Sequence, residues 1–344
     1  MDLIIPKNYK SHLGLRKTEE AIKLIKDYFQ VELANRLNLV RVSASLFVRK
    51  GTGVNDTLTG VEIPVSFRIK DDNNAQAEVV QSLAKWKRLA LARYDFKVGE
   101  GLYTDMNAIR PDEELDNLHS IYVDQWDWEK IIRKEERTLD FLKEFVKSIY
   151  KVIKESEALV FRKYPQIKPF LPEEIIFIHS EELQKKYPNL TPPEREDEIT
   201  KEKGAVFLIG IGAKLADGEP HDLRAPDYDD WSTQTGENTR GLNGDILVWN
   251  PILNKAFELS SMGIRVDKNA LLEQLRITHT MDRTELQYHQ LLLKNKLPLT
   301  IGGGIGQSRL CMLFLQKAHI GEVQAGIWPQ NMINICKENG IFLL

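Results

Sequence analysis

Ile301-Gly-Gly-Gly-Ile-Gly-Gln-Ser-Arg-Leu310 is the stretch on which the architecture turns. Glycines at 302, 303, 304 and 306 let the backbone come very close to something flat or charged. Arg309 follows, and the apolar run Leu310-Cys-Met-Leu-Phe-Leu315 opens a helix. A glycine turn feeding a helix that carries an arginine in its first turns suits a nucleotide. A packing turn with a surface arginine is the plainer alternative.

Two segments upstream add charge to this picture. Gly244-Asp-Ile-Leu-Val-Trp-Asn-Pro251 and Phe257-Glu-Leu-Ser-Ser-Met-Gly-Ile-Arg265 read as strands. Asp245 and Glu258 lie on these apolar strands, where an unpaired carboxylate is costly. A shared Mg²⁺ would relieve that cost, with oxygen ligands and room for phosphates; facing solvent or pairing with arginine would relieve it too. In a regular strand Glu258 and Ser260 share a face, and Ser261 and Arg265 take the other unless a bulge intervenes. Further upstream, Gly99-Glu-Gly-Leu-Tyr-Thr-Asp-Met-Asn-Ala-Ile-Arg110-Pro-Asp-Glu113 is a strand-like run ending in arginine. Arg110 there is able to take a phosphate bidentately, or to sit in a rim ion pair.

The remaining elements follow from periodicity. Ile22, Ile25, Phe29, Leu33 and Leu37 predict a helix over 18–37 with Thr18 as its N-cap, and 130–164 reads as a second long helix. Strands are expected over 40–48, around 61–69, 102–106, 121–123, 175–178, 206–211, 246–249 and 257–266, and helices over 282–293 and 310–315. Thr191–Lys203 reads as an exposed polar excursion and Asp227–Asn243 as a long, functional loop. Strands clustered together with helices in separate blocks predict one α+β domain spanning 1–344, an antiparallel sheet flanked by helices.

Composition removes several classes of function. The 344 residues carry 47 Lys+Arg against 50 Asp+Glu, a net charge of −3, so nucleic acid is not the expected partner. No apolar run approaches a membrane span, and the charged start is unlike a signal peptide, which predicts a cytoplasmic protein. Two cysteines, Cys311 and Cys336, make neither a disulfide framework nor a zinc site. The seven histidines show no metal-binding spacing, and no GxxxxGK[ST] loop is present. Gly210-Ile-Gly212 lacks a third glycine and reads as a turn after a strand. Cys311, inside an apolar run, reads as core.

Taken together, these segments resemble a known family. Gly302–Arg309 looks like motif 3 of class II aminoacyl-tRNA synthetases, Arg110 sits like the motif 2 arginine, and Glu258-x-x-Ser261-x-x-x-Arg265 is similar to the metal- and substrate-binding strand of the aspartyl and asparaginyl subgroup. Closer still are the ammonia-dependent asparagine synthetases, which share that catalytic core without tRNA modules. Ser82–Arg88, Gly99–Tyr103, His119–Glu129, Arg224–Ser232, Gly241–Pro251 and Gln324–Pro329 carry the likeness in order along the chain. Two departures stand out. Ser45 occupies the place of the motif 1 proline, and Arg110 is followed by Pro111-Asp112-Glu113 rather than by glutamate two residues on.

The resemblance implies an enzyme that forms β-aspartyl-AMP from L-aspartate and ATP, then lets ammonia displace AMP to give asparagine. An aminoacyl-tRNA synthetase-like paralogue, or a noncatalytic sensor of aspartate or nucleotide, are the alternatives. The implied roles are as follows. Arg110 faces the α-phosphate, and Arg309 stacks on adenine or holds the far phosphates. Asp245, Glu258 and Ser261 place Mg²⁺. Arg265 and Lys87 take the aspartate carboxylates, Ser82 and Gln125 add neutral hydrogen bonds, and Asp127 grips the α-ammonium. Asp229 closes over the nucleotide. Asp56 binds or deprotonates ammonium, although by its residues alone it reads as a turn residue capping its own backbone. The helix over 18–37 and the strand after it are expected to form a homodimer interface.

Overall fold

The structure, a computed structural model, describes residues 3–56 and 62–344. In chain order its elements are α1 (Leu15–Leu37), β1 (Leu39–Arg41), β2 (Phe47–Arg49), β3 (Ser66–Ile69), β4 (Ala75–Val79), α2 (Ala84–Arg93), β5 (Gly101–Ile109), β6 (Tyr122–Ile131), α3 (Leu139–Lys163), β7 (Ile176–His179), α4 (Ser180–Lys186) and α5 (Pro192–Lys203). They continue with β8 (Ala205–Ile209), β9 (Asn243–Asn250), β10 (Lys255–Ile264), α6 (Lys268–Ile277), α7 (Gln287–Leu293), β11 (Thr300–Gly306), α8 (Gln307–Phe314) and α9 (Gln330–Glu338). One eight-stranded sheet runs β1-β5-β6-β11-β10-β9-β8-β7, and β2-β4-β3 make a small second sheet. The centre of the large sheet is antiparallel as expected. Its two outer pairs, β1/β5 and β7/β8, are parallel, which the clustering of strands along the chain did not disclose.

Alternation along β6 sets the two faces of the sheet. Trp126 and Trp128 point to the side covered by α1, α3 and α8, where Phe29 stacks on Trp126 at 4.8 Å and Phe145 on Trp128 at 5.9 Å. Gln125, Asp127 and Glu129 therefore point to the opposite side, beneath α2. Cys311 is buried among the packing residues of α8, and burial pushes its thiol up to about 12. Both properties fit core.

Several expectations change. The first helix starts at Leu15, with Gly14 at its cap. Thr18 lies inside it, donating its hydroxyl to the Leu13 carbonyl at 3.3 Å. The strand expected over 40–48 is two pieces in two different sheets, because alternation does not register a change of partner. Val61, expected in the next strand, lies outside the described residues. The helix expected from Lys130 begins at Leu139, where Thr138 accepts the Phe141 N–H at 3.2 Å; residues 122–131 are β6. The polar stretch 192–203 is α5, opened by Pro192 with Glu194 accepting the Thr191 N–H at 2.8 Å. It buries Ile199 against Leu183, Val206 and Leu208.

The glycine run is not a turn. Residues 300–306 are β11, between β6 and β10, and none of its glycines has a positive φ. Their need is for space. A Cβ on Gly302 would collide with the Glu129 carboxylate, and one on Gly304 with the Gln125 amide. On the other face, a Cβ on Gly303 would meet Met262 Cβ at 2.6 Å and the Ser261 carbonyl at 2.8 Å. The strand is a trough across which the side chains of β6 lie.

Candidate active site

A cavity of about 300 Å³ opens over that trough. Asp56, Ser82, Lys87, Arg110, Gln125, Asp127, Asp229, Glu258, Ser261, Arg265 and Arg309 all border it. Asp245 does not line it and stands behind, bonded to Arg224, which does.

The floor is built by β6, β11 and β10. Lys87, from α2, is buried and reaches Asp127 at 3.1 Å, the Gly303 carbonyl at 2.9 Å and Glu129 at 4.0 Å. Burial lowers its pKa and Asp127 opposes that shift. Arg265 sends Nε to Glu129 at 3.1 Å and Nη2 to the same carboxylate at 2.9 Å, while Nη1 donates to Asp229. Thr300 donates to the other Glu129 oxygen at 2.7 Å. Burial alone would raise Glu129, but Arg265 and Lys87 hold it below its usual range. For Asp229 burial outweighs Arg265, and its pKa rises. Arg265 keeps a second N–H on each Nη, a planar pair suited to a carboxylate.

Asp229, expected to close over a nucleotide, borders the cavity buried and bonded to Arg265, beside the Lys87–Asp127–Glu129 cluster. The loop it belongs to is irregular as expected but far from loose. Gln274 accepts the N–H groups of Trp231 at 2.9 Å and Ser232 at 3.2 Å and donates to the carbonyls of Pro226 and Asp229 at 2.8 and 2.9 Å. Asp227, wholly buried, joins Lys85, Arg283 and His289 at 3.2, 3.0 and 3.1 Å.

A bulge in β10 resolves the question of faces. Glu258 pairs with Leu247 but Ser260 with Ile246, so Leu259 is an extra residue. Phe257, Leu259, Met262 and Ile264 pack in the core, and Glu258 and Ser261 come out on the same side, facing the cavity. Asp245, opposite Ser261 in β9, joins them. Asp245 accepts from Arg224 through one oxygen, and its other oxygen, Oδ1, is buried without a hydrogen-bond partner. Burial raises its pKa, Arg224 opposes, and the Glu258 charge raises it further. Arg309 reaches this group, donating to the Glu258 carbonyl at 3.1 Å, with its carboxylate at 3.5 Å.

Arg110 stands at the end of β5, 3.9 Å from Glu113 and 3.5 Å from the Gln81 carbonyl, with Nε buried and unpartnered. Glu113 also borders the cavity, three residues after the arginine instead of two. Ser82 accepts the Ala84 N–H at 3.1 Å at the start of α2. Asp56 is buried at the cavity edge, on a segment pinned by Asn55, whose side-chain oxygen accepts the N–H groups of Asp56 and Gln81 at 3.0 and 2.9 Å. Two participants were missed from the sequence. Glu129 shares the alternation of Gln125 and Asp127, which was the available signal. Arg224 opens one of the stretches that carry the resemblance, but no local pattern links it to its partner Asp245, 21 residues away.

The protein family described as aspartate-ammonia ligase matches residues 16–340. The chain belongs to the aspartate–ammonia ligase family. It is 61% identical over 342 residues to the aspartate–ammonia ligase of Clostridium tetani, covering 99% of this chain and 98% of that one. It is 62% identical to the ligase of Clostridium perfringens strain SM101 and 59% to that of Parabacteroides distasonis, covering 99% of both chains in each case. As an aspartate–ammonia ligase it makes asparagine from aspartate. Among solved structures, the asparaginyl-tRNA synthetase of Pyrococcus horikoshii complexed with asparaginyl-adenylate superposes with a TM-score of 0.68 at 16% identity, over 92% of this chain and 72% of that one. The asparaginyl-tRNA synthetase of Entamoeba histolytica gives 0.65 at 15% identity, over 90% of this chain and 66% of that one. These two show the class II synthetase fold. Among the described residues, no helix is long and apolar enough to cross a membrane.

Proposed function

We propose that the chain works in two steps. The side-chain carboxylate of aspartate attacks the α-phosphorus of ATP, forming β-aspartyl-AMP and expelling pyrophosphate. Ammonia then attacks the acyl carbon, forming the amide C–N bond and expelling AMP. A carboxylate is a poor acyl donor because its leaving group would be oxide, and adenylation supplies a better one. The observation that carries this reading is a single cavity in which Lys87, Asp127 and Arg265 lie on one floor with Arg110, Arg309 and Glu258.

In this reading Arg265 and Lys87 hold the carboxylates of aspartate, and Asp127 holds its α-ammonium. Gln125 and Ser82 add neutral hydrogen bonds. Arg110 meets the charge that develops on the α-phosphate, and Arg309 takes adenine or the outer phosphates. Two carboxylates and a hydroxyl, Asp245, Glu258 and Ser261, are hard oxygen donors, and the unpartnered Asp245 Oδ1 fits a cation there. Together they would hold Mg²⁺, whose charge would offset that of the phosphates. Asp56 attracts ammonium and accepts its proton, since ammonium has no lone pair until it is deprotonated. Among the described residues both cysteines are buried, so neither serves as a glutaminase nucleophile, and free ammonia is the donor.

The test has two parts. Aspartate-dependent exchange between labelled pyrophosphate and ATP reports the first step, and asparagine formed on adding ammonium reports the second. Exchange without asparagine formation, or asparagine formed with ADP and phosphate as products, would overturn the scheme.

A further inference from the structure

Two carboxylates on the helical side of the sheet tie the first turn of α8 to the α1–β1 unit. Asp124 of β6 accepts the Ser308 N–H at 3.0 Å, the Ser308 hydroxyl at 2.8 Å and the Gln324 amide at 3.3 Å. Lys26 of α1 supplies its positive partner at 2.9 Å. Asp105 of β5 repeats the arrangement: one oxygen accepts the Gln307 amide at 3.0 Å, and the other pairs with Arg41 of β1 at 2.7 Å. Gln307 and Ser308 are the first two residues of α8, and Arg309 is the third. Asp124 thus caps the helix from another element, satisfying an N–H that has no partner inside the helix. Glu258 marks where the Arg309 guanidinium then arrives.

We propose that Lys26 and Arg41 are positioning residues for nucleotide binding: through Asp124 and Asp105 they fix the first turn of α8, and with it the direction from which Arg309 enters the cavity. Neither cation borders the cavity, nor does Asp105, whereas Asp124 and Ser308 reach its edge. Their contribution passes through the carboxylates. The two bridges are unequal. Asp124 is nearly buried, so losing Lys26 leaves a charge with neutral donors only, whereas the Arg41 side chain is 54% exposed and its pair is weak. The proposal rests on the assignment of Arg309 to the nucleotide.

The experiment measures KM for ATP, KM for aspartate and kcat on the full chain for Lys26→Met, Lys26→Arg, Arg41→Met and Arg309→Ala, with melting temperatures alongside. Lys26→Met is expected to raise KM for ATP roughly tenfold, the worth of one charge-assisted hydrogen bond. KM for aspartate should stay within about twofold, and Lys26→Arg should restore binding. Arg41→Met, at an exposed pair, is expected to fold normally and raise KM for ATP about twofold. A lowered melting temperature with KM for ATP unchanged, or a parallel rise in both KM values, would overturn the proposal and leave these bridges a purely structural role. If Arg309→Ala weakens ATP while Lys26→Met does not, only the bridges fail. If Arg309→Ala leaves KM for ATP unchanged, the nucleotide assignment fails, and the proposal with it.

Discussion

Arg110 enters the cavity with a buried, unpartnered Nε, the state of a donor whose acceptor arrives with the substrate. Arg110→Ala is expected to cost about 3 kcal/mol of transition-state stabilisation, the usual loss for one preorganised donor, read as a fall of about 10²-fold in pyrophosphate–ATP exchange. Near-normal exchange would remove Arg110 from its role. Asp56→Asn divides the reaction differently: exchange should persist while asparagine formation slows, and equal loss of both would end its assignment to ammonium. At this scale the sequence was readable wherever a residue type sits on a regular strand. Gln125 and Asp127 alternate with two tryptophans, and the structure puts them on the cavity side. Glu129 obeys the same alternation but binds another side chain, Arg265, 136 residues away, and no local pattern reports such a partner. Asp229 shows the same gap, its loop composition being visible in the sequence and its bond to Arg265 not.

Among elements, β11 makes the sharpest prediction because its two faces do different things. Gly304→Ala pushes against the polar ends of Gln125 and Asp127, side chains in the cavity and not backbone. It should fold and show KM for aspartate raised roughly tenfold or more, the worth of one misplaced charge-assisted contact. Gly303→Ala pushes against the Ser261 carbonyl and Met262 Cβ, which are backbone and core. It should lose roughly 1–3 kcal/mol of stability through overpacking, seen as a lower urea midpoint. The reverse pattern would mean that the trough is not what the glycines serve. The C-terminal segment gives a pH prediction. His319 is buried against Trp328, its Nδ1 accepts the Gly321 N–H at 3.0 Å, and burial lowers its pKa to about 4. In the unfolded chain it titrates near 6.5. Between these values the unfolded state binds more protons, so stability falls as pH falls. About 2 kcal/mol should vanish between pH 7 and pH 5, and His319→Gln should flatten that slope in paired urea titrations.

For the whole molecule, the central antiparallel sheet flanked by helices and the α+β class were legible because each strand carries its own alternation or apolar run. The parallel outer pairs were not, since Leu39 meets Gly101 across more than sixty residues of chain. The proposed homodimer also belongs to this scale. The α1–β1 unit packs its inner stripe on α3 and α8 and leaves Val31 and Val40 half exposed, at 51% and 58%. Sedimentation at micromolar concentration should find a two-fold dimer. A monomer would refute it, with Ser45, exposed and hydrogen-bonded to Phe47 in place of a proline, as the reason.

The extra residue in β10 makes a local irregularity, and not only side-chain identity, a condition of how the site is laid out. Run as a regular strand with every residue kept, β10 would turn Met262 towards the substrates and Ser261 into the apolar interior. A homologue with the same residues in a column-by-column comparison would still be unable to assemble the site if its strand passed this point without the bulge.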